Sequence, residues 1–243
     1  MLCVRTAFRH VHCSSKNLQT LRVSRHFTAY YWSDTETEPE SRMFKAVKNF
    51  FSPEIETPEY SIIEQNEEYE LREYTSSKWV SSQVESMTYS KAGSTMFWRL
   101  FKYIQGNNVK EQKIAMTAPV TMHVKPGAGP ACENTFTMSF FVPKEYHDDP
   151  AKPKAEEVFL TEFPKRQVYV RSFSGFSNEE KWLSEAQKLA ESLGDKDDFH
   201  KDFFYTAGYD SPFKLFNRRN EIWFIVKDQD KLSHDSDDSE HQR

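Results

Sequence analysis

No stretch of this 243-residue chain approaches the roughly 18 uninterrupted apolar residues that a membrane span needs. Cysteine is scarce as well. Cys3, Cys13 and Cys132 are the only three. They cannot all pair within the chain and show no zinc-ligand spacing, which argues against a disulfide scaffold or a thiolate metal centre and fits a reducing compartment. His123, His147 and His200 stand alone, without a His-x-Glu, His-Glu-x-x-His or Cys-x-x-Cys pattern, so no metal site is encoded locally. A Gly-x-Ser-x-Gly elbow, a phosphate loop and a Gly-x-Gly-x-x-Gly turn are all missing. Hydrolytic and nucleotide-dependent chemistry therefore has no positive support, and no catalytic residue is assigned.

The first 33 residues lack acids altogether, while carrying Arg5, Arg9, Lys16, Arg22 and Arg25 with Ser14, Ser15 and Ser24. They also never gather the apolar run of about 7–15 residues that a secretory signal requires. The segment resembles a mitochondrial presequence, and a basic tail or an alternative start fits its composition equally well; the expected location is mitochondrial or cytoplasmic. Taking those five cations from a formal net charge of −5 leaves −10 on the remainder, an acidic body that argues against nucleic acid as a partner.

Aromatic residues are plentiful instead, at 15% with 20 Phe, enough to pack a core or line a pocket for a flat ligand. Residues 34–57 turn acidic and Pro-punctuated, with one amphipathic turn around Met43 to Phe51, and read as a linker. The folded body is expected over residues 58–227, followed by a disordered acidic tail over residues 228–243.

Within the body, Tyr69–Tyr74 and Lys78–Val84 read as a hairpin about Thr75-Ser-Ser77. A helix follows, because Tyr89, Ala92, Gly93, Met96, Phe97, Leu100, Phe101 and Ile104 recur at i, i+3, i+4, i+7, with Thr88 to cap and Gly106 to terminate. Lys113–Thr121 then alternates Ile114, Met116, Ala118 and Val120 on one face of an expected strand, and Thr135–Val142 reads as another. After the Pro-rich joint Pro143–Pro153, Val158–Thr161 and Gln167–Phe173 repeat the hairpin. A second helix opens on a Ser177-x-x-Glu180 capping box and stops at Gly194. Phe203–Tyr209 and Glu221–Lys227 supply the last strands, with Thr206-Ala-Gly208 echoing Thr117-Ala-Pro119. Two such units predict an α+β fold of two pseudo-symmetric repeats.

Lys113-Ile-Ala-Met-Thr-Ala-Pro-Val120 closely resembles the signature of the SOUL haem-binding protein family. Tyr205-Thr-Ala-Gly-Tyr-Asp-Ser-Pro212, Lys214, Arg218–Trp223, Tyr69-Glu-Leu-Arg72 and Lys78-Trp-Val80 resemble further segments of that family in the same order, over about Pro58 to Lys227. The resemblance implies a distorted eight-stranded β-barrel with two helices. It also implies haem or another porphyrin as a bound ligand, held without enzymatic activity in a surface groove beside the first helix.

Carried over position by position, the resemblance assigns propionate-binding cations to Lys102 and Lys214. A third basic position of the family corresponds to Ser94. In another branch an iron-ligating histidine stands where this chain has Glu73, and a carboxylate is a much poorer haem-iron ligand than imidazole. A porphyrin offers two apolar faces and two carboxylates, calling for an aromatic groove with cations at its rim. Phe97, Phe101 and Tyr103 are the candidates for the aromatic part. One branch of the family is linked to cell death through a helix that docks into survival-protein grooves, so an apoptosis-regulating protein is the alternative partner. Leu189–Phe199 is the matching segment.

Overall fold

The computed structural model describes residues 55–129, 132–211 and 214–227. The basic N-terminal segment, the turn around Met43 to Phe51 and the acidic tail lie outside the described residues. Nine strands and two helices follow one another as β1 (Tyr60–Gln65), β2 (Glu70–Tyr74), β3 (Ser77–Ser86), α1 (Tyr89–Ile104), β4 (Val120–Lys125), β5 (Asn134–Phe141), β6 (Val158–Phe163), β7 (Arg166–Phe173), α2 (Glu179–Leu193), β8 (Phe204–Gly208) and β9 (Asn220–Ile225). All neighbouring pairs are antiparallel, in the order β1-β2-β7-β9-β8-β4-β5-β3-β6.

The sheet curls on itself, as rings four strands apart show: Phe163 of β6 meets Tyr205 of β8 at 6.1 Å between centroids. The expected α+β barrel-like architecture is therefore present, with nine strands rather than eight. The ninth, β1, has no counterpart at the other edge, so the sheet as a whole does not divide into two equivalent repeats.

Two expected hairpins are absent. β2 pairs with β1 and β7, while β3 pairs with β5 and β6. β6 and β7 likewise do not pair with each other. Two-residue hairpin turns favour residues at positive φ such as Gly or Asn. The links here are Thr75-Ser76 and Pro164-Lys165, and each carries the chain to the opposite half of the sheet.

The strand expected over Lys113–Thr121 begins only at Val120. Pro119 has no N–H to give a ladder, the Ala118–Pro119 peptide is cis, and the preceding residues bond elsewhere. Thr117 Oγ1 donates to the Phe141 carbonyl at 2.6 Å and the Ala118 N–H to that of Glu56 at 3.0 Å. The segment is nevertheless buried at Ile114, Met116 and Ala118, as the alternation required. Its echo at Thr206–Gly208 lies inside a strand, so the two stretches are not structural equivalents.

α1 spans the expected residues, with Gly106 at φ +111° just beyond its end. Thr88 is the N-cap residue without a side-chain cap bond. In α2 the cap is Asn178, whose Oδ1 accepts from the Lys181 N–H at 2.8 Å, whereas Ser177 Oγ turns to Asn220 Oδ1 at 3.5 Å. The N-cap is thereby displaced by one residue and, with Lys181 at the third helical position, the expected capping box does not form; Gly194 ends the helix at φ +58°.

The helices pack on one face of the sheet and bury the main core, with Met96, Leu100, Ile104, Phe136, Phe140, Leu189 and Ile222 among its members. The other face curls over Tyr74, Val168, Val170, Trp223 and Ile225, with Trp79, Phe141 and Phe163 beside them. Into this second interior projects a buried carboxylate, Glu221. It accepts from Arg72 Nη1 at 3.1 Å, Arg219 Nη2 at 2.6 Å, Tyr209 Oη at 2.8 Å and Trp223 Nε1 at 2.8 Å.

Candidate ligand groove

The position of the groove follows from which strands each helix covers. α1 rests on β3 and β5, and α2 on β7 and β9. Between them in the sheet run β8 and β4, which the helices reach only at the edge of α1 through Tyr89 and Gly93. The gap has a volume of about 190 Å³. Its floor is Val120 and Met122 of β4, Met138 of β5, and Thr206 and Gly208 of β8. Its walls are Tyr89 and Phe97 of α1 and Trp182 of α2, with Met116, Thr117, Tyr209 and Asp210 at its ends.

Each side chain reaches the gap for a local reason. Val120 and Met122 are alternate residues of β4 and so share the helix-facing side. Tyr89, Gly93 and Phe97 form one i, i+4, i+8 row of α1. Gly93 lets that row approach the sheet, since a Cβ there would stand 3.4 Å from Met122 Cε. Tyr89 Oη lies 2.8 Å from Thr206 Oγ1, tying the helix start to the floor. Tyr89 and Trp182 also bound a smaller pocket of about 40 Å³, lined by Phe136, Leu183, His200, Phe203 and Phe224 among others.

Of the residues named from the sequence, Phe97 is half-buried and lines the groove. Phe101 stacks on it at 5.8 Å but points inward, only 2% exposed. Tyr103 is 1% exposed, donates to the Ala151 carbonyl at 2.7 Å, and has its phenol pushed up to about 12 by burial. Both are core residues, because the helix turns their side chains towards the sheet. Lys214 binds Asp210 at 2.6 Å, which brings it to the rim of the groove. Lys102 is exposed, five residues and hence about 140° round α1 from Phe97. Ser94 is exposed on the same helix.

Glu73 lies on β2, outside the groove, and bonds Lys165 at 2.8 Å, which holds its carboxyl below the usual range. None of the three isolated histidines lines the groove itself. His123 shares β4 with Met122 but points to the opposite side, between Phe203 and Tyr205, and burial lowers its pKa to about 4. His147 Nε2 contacts the Val142 carbonyl at 2.7 Å, and His200 lies in the smaller aromatic pocket. Among the described residues, no group of three or more His, Cys, Asp or Glu side chains could hold a metal ion. No helix described is long and apolar enough to cross a membrane. In the segment considered as a docking helix, Leu189, Leu193 and Phe199 are all buried.

Most of the groove's lining was not singled out as a site from the sequence. Met122, Met138, Thr206 and Trp182 come from four elements and Tyr209 from the loop after β8, and only the alternation of Met116 and Val120 in the 113–121 stretch had marked part of the lining as meeting something apolar.

The architecture is an α+β sheet whose two helices part over an apolar, aromatic-walled trough. The sequence profile described as SOUL heme-binding protein matches residues 55–225, and the chain belongs to that family. It is 46% identical over 180 residues to heme-binding protein 2 of Homo sapiens, covering 72% of this chain and 88% of that protein. It is 30% identical over 187 residues to heme-binding protein 1 of Xenopus laevis, covering 75% and 98% respectively. The fold also resembles the C-terminal domain of EcmrR, with a TM-score of 0.50 at 11% identity over 69% of this chain and 98% of that one.

Proposed function

We propose that this protein binds haem or another tetrapyrrole in the groove between α1 and α2, as a carrier or buffer rather than an enzyme. The observation that carries this reading is the β4–β8 strip between the helices: an apolar floor with Phe97, Tyr89 and Trp182 as walls, in a member of a family named for haem binding. A flat apolar macrocycle matches such a trough. Enclosed ligand sites commonly span about 300–1,000 Å³, so a porphyrin in this smaller gap keeps one edge in solvent. That edge is where its carboxylates belong.

Lys214 is the cation best placed to meet a propionate. It now pairs with Asp210, so the ligand carboxylate competes with a side chain and the gain is small. Lys102 supplies charge from the solvent side of α1. With Glu73 on another strand and no histidine in the lining, binding rests on apolar contact without strong axial ligation.

Titration of the protein with haemin and with metal-free protoporphyrin, followed in the Soret region, tests this directly. Similar affinities for the two are expected. A large preference for haemin with a bis-nitrogen or histidine-ligated spectrum would overturn the non-ligated mode, and failure of both to bind would overturn the function.

A further inference from the structure

The loop from β8 to β9 leaves the groove at Asp210 and returns at Arg219, and between them it presents its most apolar residues to solvent. Phe216 is 80% exposed and Leu215 65%, and the neighbouring Phe176 is 62% exposed. Isolated exposed apolar residues are ordinary, but three large ones at one place are not. Cations stand near two of them. Arg218 sits over the Phe176 ring at 4.8 Å, and Lys214 precedes Leu215.

The tip is also held in shape. Asn217 takes φ +50°, a left-handed turn conformation that Asn tolerates. Arg218 Nη1 donates to the carbonyls of Ser211 at 2.7 Å and Lys214 at 2.9 Å, and the Asp210 carboxylate accepts from the Arg219 N–H. Leu215 and Phe216 are therefore presented by a braced turn. Arg218 moreover has an unmet requirement. Its Nε is buried without a hydrogen-bond partner, no carboxylate oxygen bonds the guanidinium among the described residues, and desolvation lowers its pKa. The nearby Asp210 carboxylate opposes that shift without bonding the guanidinium.

An apolar tip collared by cations is complementary to an anionic lipid surface: the rings and the leucine enter the headgroup–acyl boundary while the cations meet phosphates. We propose that the Leu215–Phe216 turn, with Phe176, Lys214 and Arg218, is a peripheral docking site for anionic phospholipid membranes. A protein partner would be expected to offer a carboxylate aligned with Arg218. The lipid is favoured because the collar surrounds a protruding apolar point rather than flanking a concave pocket. Docking in this way sets the wall of the groove formed by Gly208, Tyr209 and Asp210 close to the bilayer. The proposal itself does not depend on what the groove binds.

The test is co-sedimentation of the full chain with vesicles of phosphatidylcholine alone and of phosphatidylcholine with one quarter phosphatidylserine. Binding is expected to the anionic vesicles only, with at least a tenfold loss in L215S/F216S, whose thermal unfolding should match the parent because both side chains are exposed. In F216W, tryptophan emission should shift to the blue on adding anionic vesicles. Absence of binding by the parent chain, or binding undiminished in L215S/F216S, overturns the proposal; the latter would assign adhesion to another part of the chain, such as its basic first 33 residues. A concentration-dependent dimer that L215S/F216S abolishes, with vesicle binding absent, would assign the patch to a second copy instead.

Discussion

Arg72 and Glu221 are 149 residues apart in sequence, yet their side chains meet inside the curled sheet at 3.1 Å, both almost wholly removed from water. Arg72 enters from β2 and Glu221 from β9, with β7 between them. Burial alone would raise the Glu221 carboxyl; the charges of Arg72 and Arg219 and the donors Trp223 and Tyr209 outweigh it, leaving the group below its usual range.

Glu221→Gln should therefore be among the most damaging single changes in the domain. It removes the deeper of Arg72's two carboxylate partners; Glu70 still holds the guanidinium at 2.6 Å, so the loss should approach but not exceed the about 3–5 kcal/mol that breaking a buried pair costs. Urea unfolding of the variant checks this. A loss below about 1 kcal/mol would show that water reaches Arg72 readily.

A second acidic node gives a pH prediction. Burial of Glu185 in α2 works against its ionisation, but bonds from Lys188 at 2.8 Å, Lys181 at 2.9 Å and Arg171 at 2.9 Å prevail and bring its pKa to about 2. A folded pKa below the unfolded 4.5 means that its stabilisation is complete above pH 4.5 and disappears as pH falls towards 2. Melting temperatures of the parent and Glu185→Gln should differ most near neutrality and converge below about pH 2.5. A difference that persists unchanged at acid pH would contradict the assignment.

Phe97 and Tyr103 should separate in a binding assay, although six residues on one helix divide them. Phe97→Ala removes a groove wall and is expected to weaken porphyrin binding by about 1–1.5 kcal/mol, roughly tenfold in Kd. Tyr103→Phe removes only a buried hydroxyl bonded to Ala151, so it should lower stability and leave the fitted affinity of the folded fraction unchanged. The opposite pattern would place the ligand on the far side of α1.

Met116→Ala should destabilise the domain by about 2–5 kcal/mol, since Met116 belongs to the main core while also closing one end of the groove. Thermal and urea unfolding read the first effect. A variant as stable as the parent would mean that the 113–119 segment repacks around the gap.

These contrasts explain how much the sequence could show. α1 was legible from Tyr89 to Ile104 because its apolar period is local, and Gly194 marked the end of α2 for the same reason. The path of the chain after Thr75 was not legible, because β2 and β3 find their partners about ninety residues away and a two-residue link looks like a turn in either case. The signature Lys113–Val120 advertised burial correctly but not secondary structure, since Thr117 and Ala118 bond to loop and strand carbonyls that no local pattern reveals. The groove was hardest of all. Its lining joins residues from α1, β4, β5, α2 and β8, which no local pattern brings together, and of the site residues named from the sequence only Phe97 falls in it.

The strand order also dictates when the domain can be completed during its synthesis. Residues 77–163 contain β3, β4, β5 and β6, which are neighbours in the sheet and can assemble as the chain emerges. β2, made earlier, waits for β7, and β7 joins the first half only through β9 and β8, the last strands to leave the ribosome. Until residues 220–225 appear, the two halves of the sheet are not joined through β9 and Arg72 has no Glu221. The closed second interior, with its Arg72–Glu221 pair, therefore exists only once the final strand has been added.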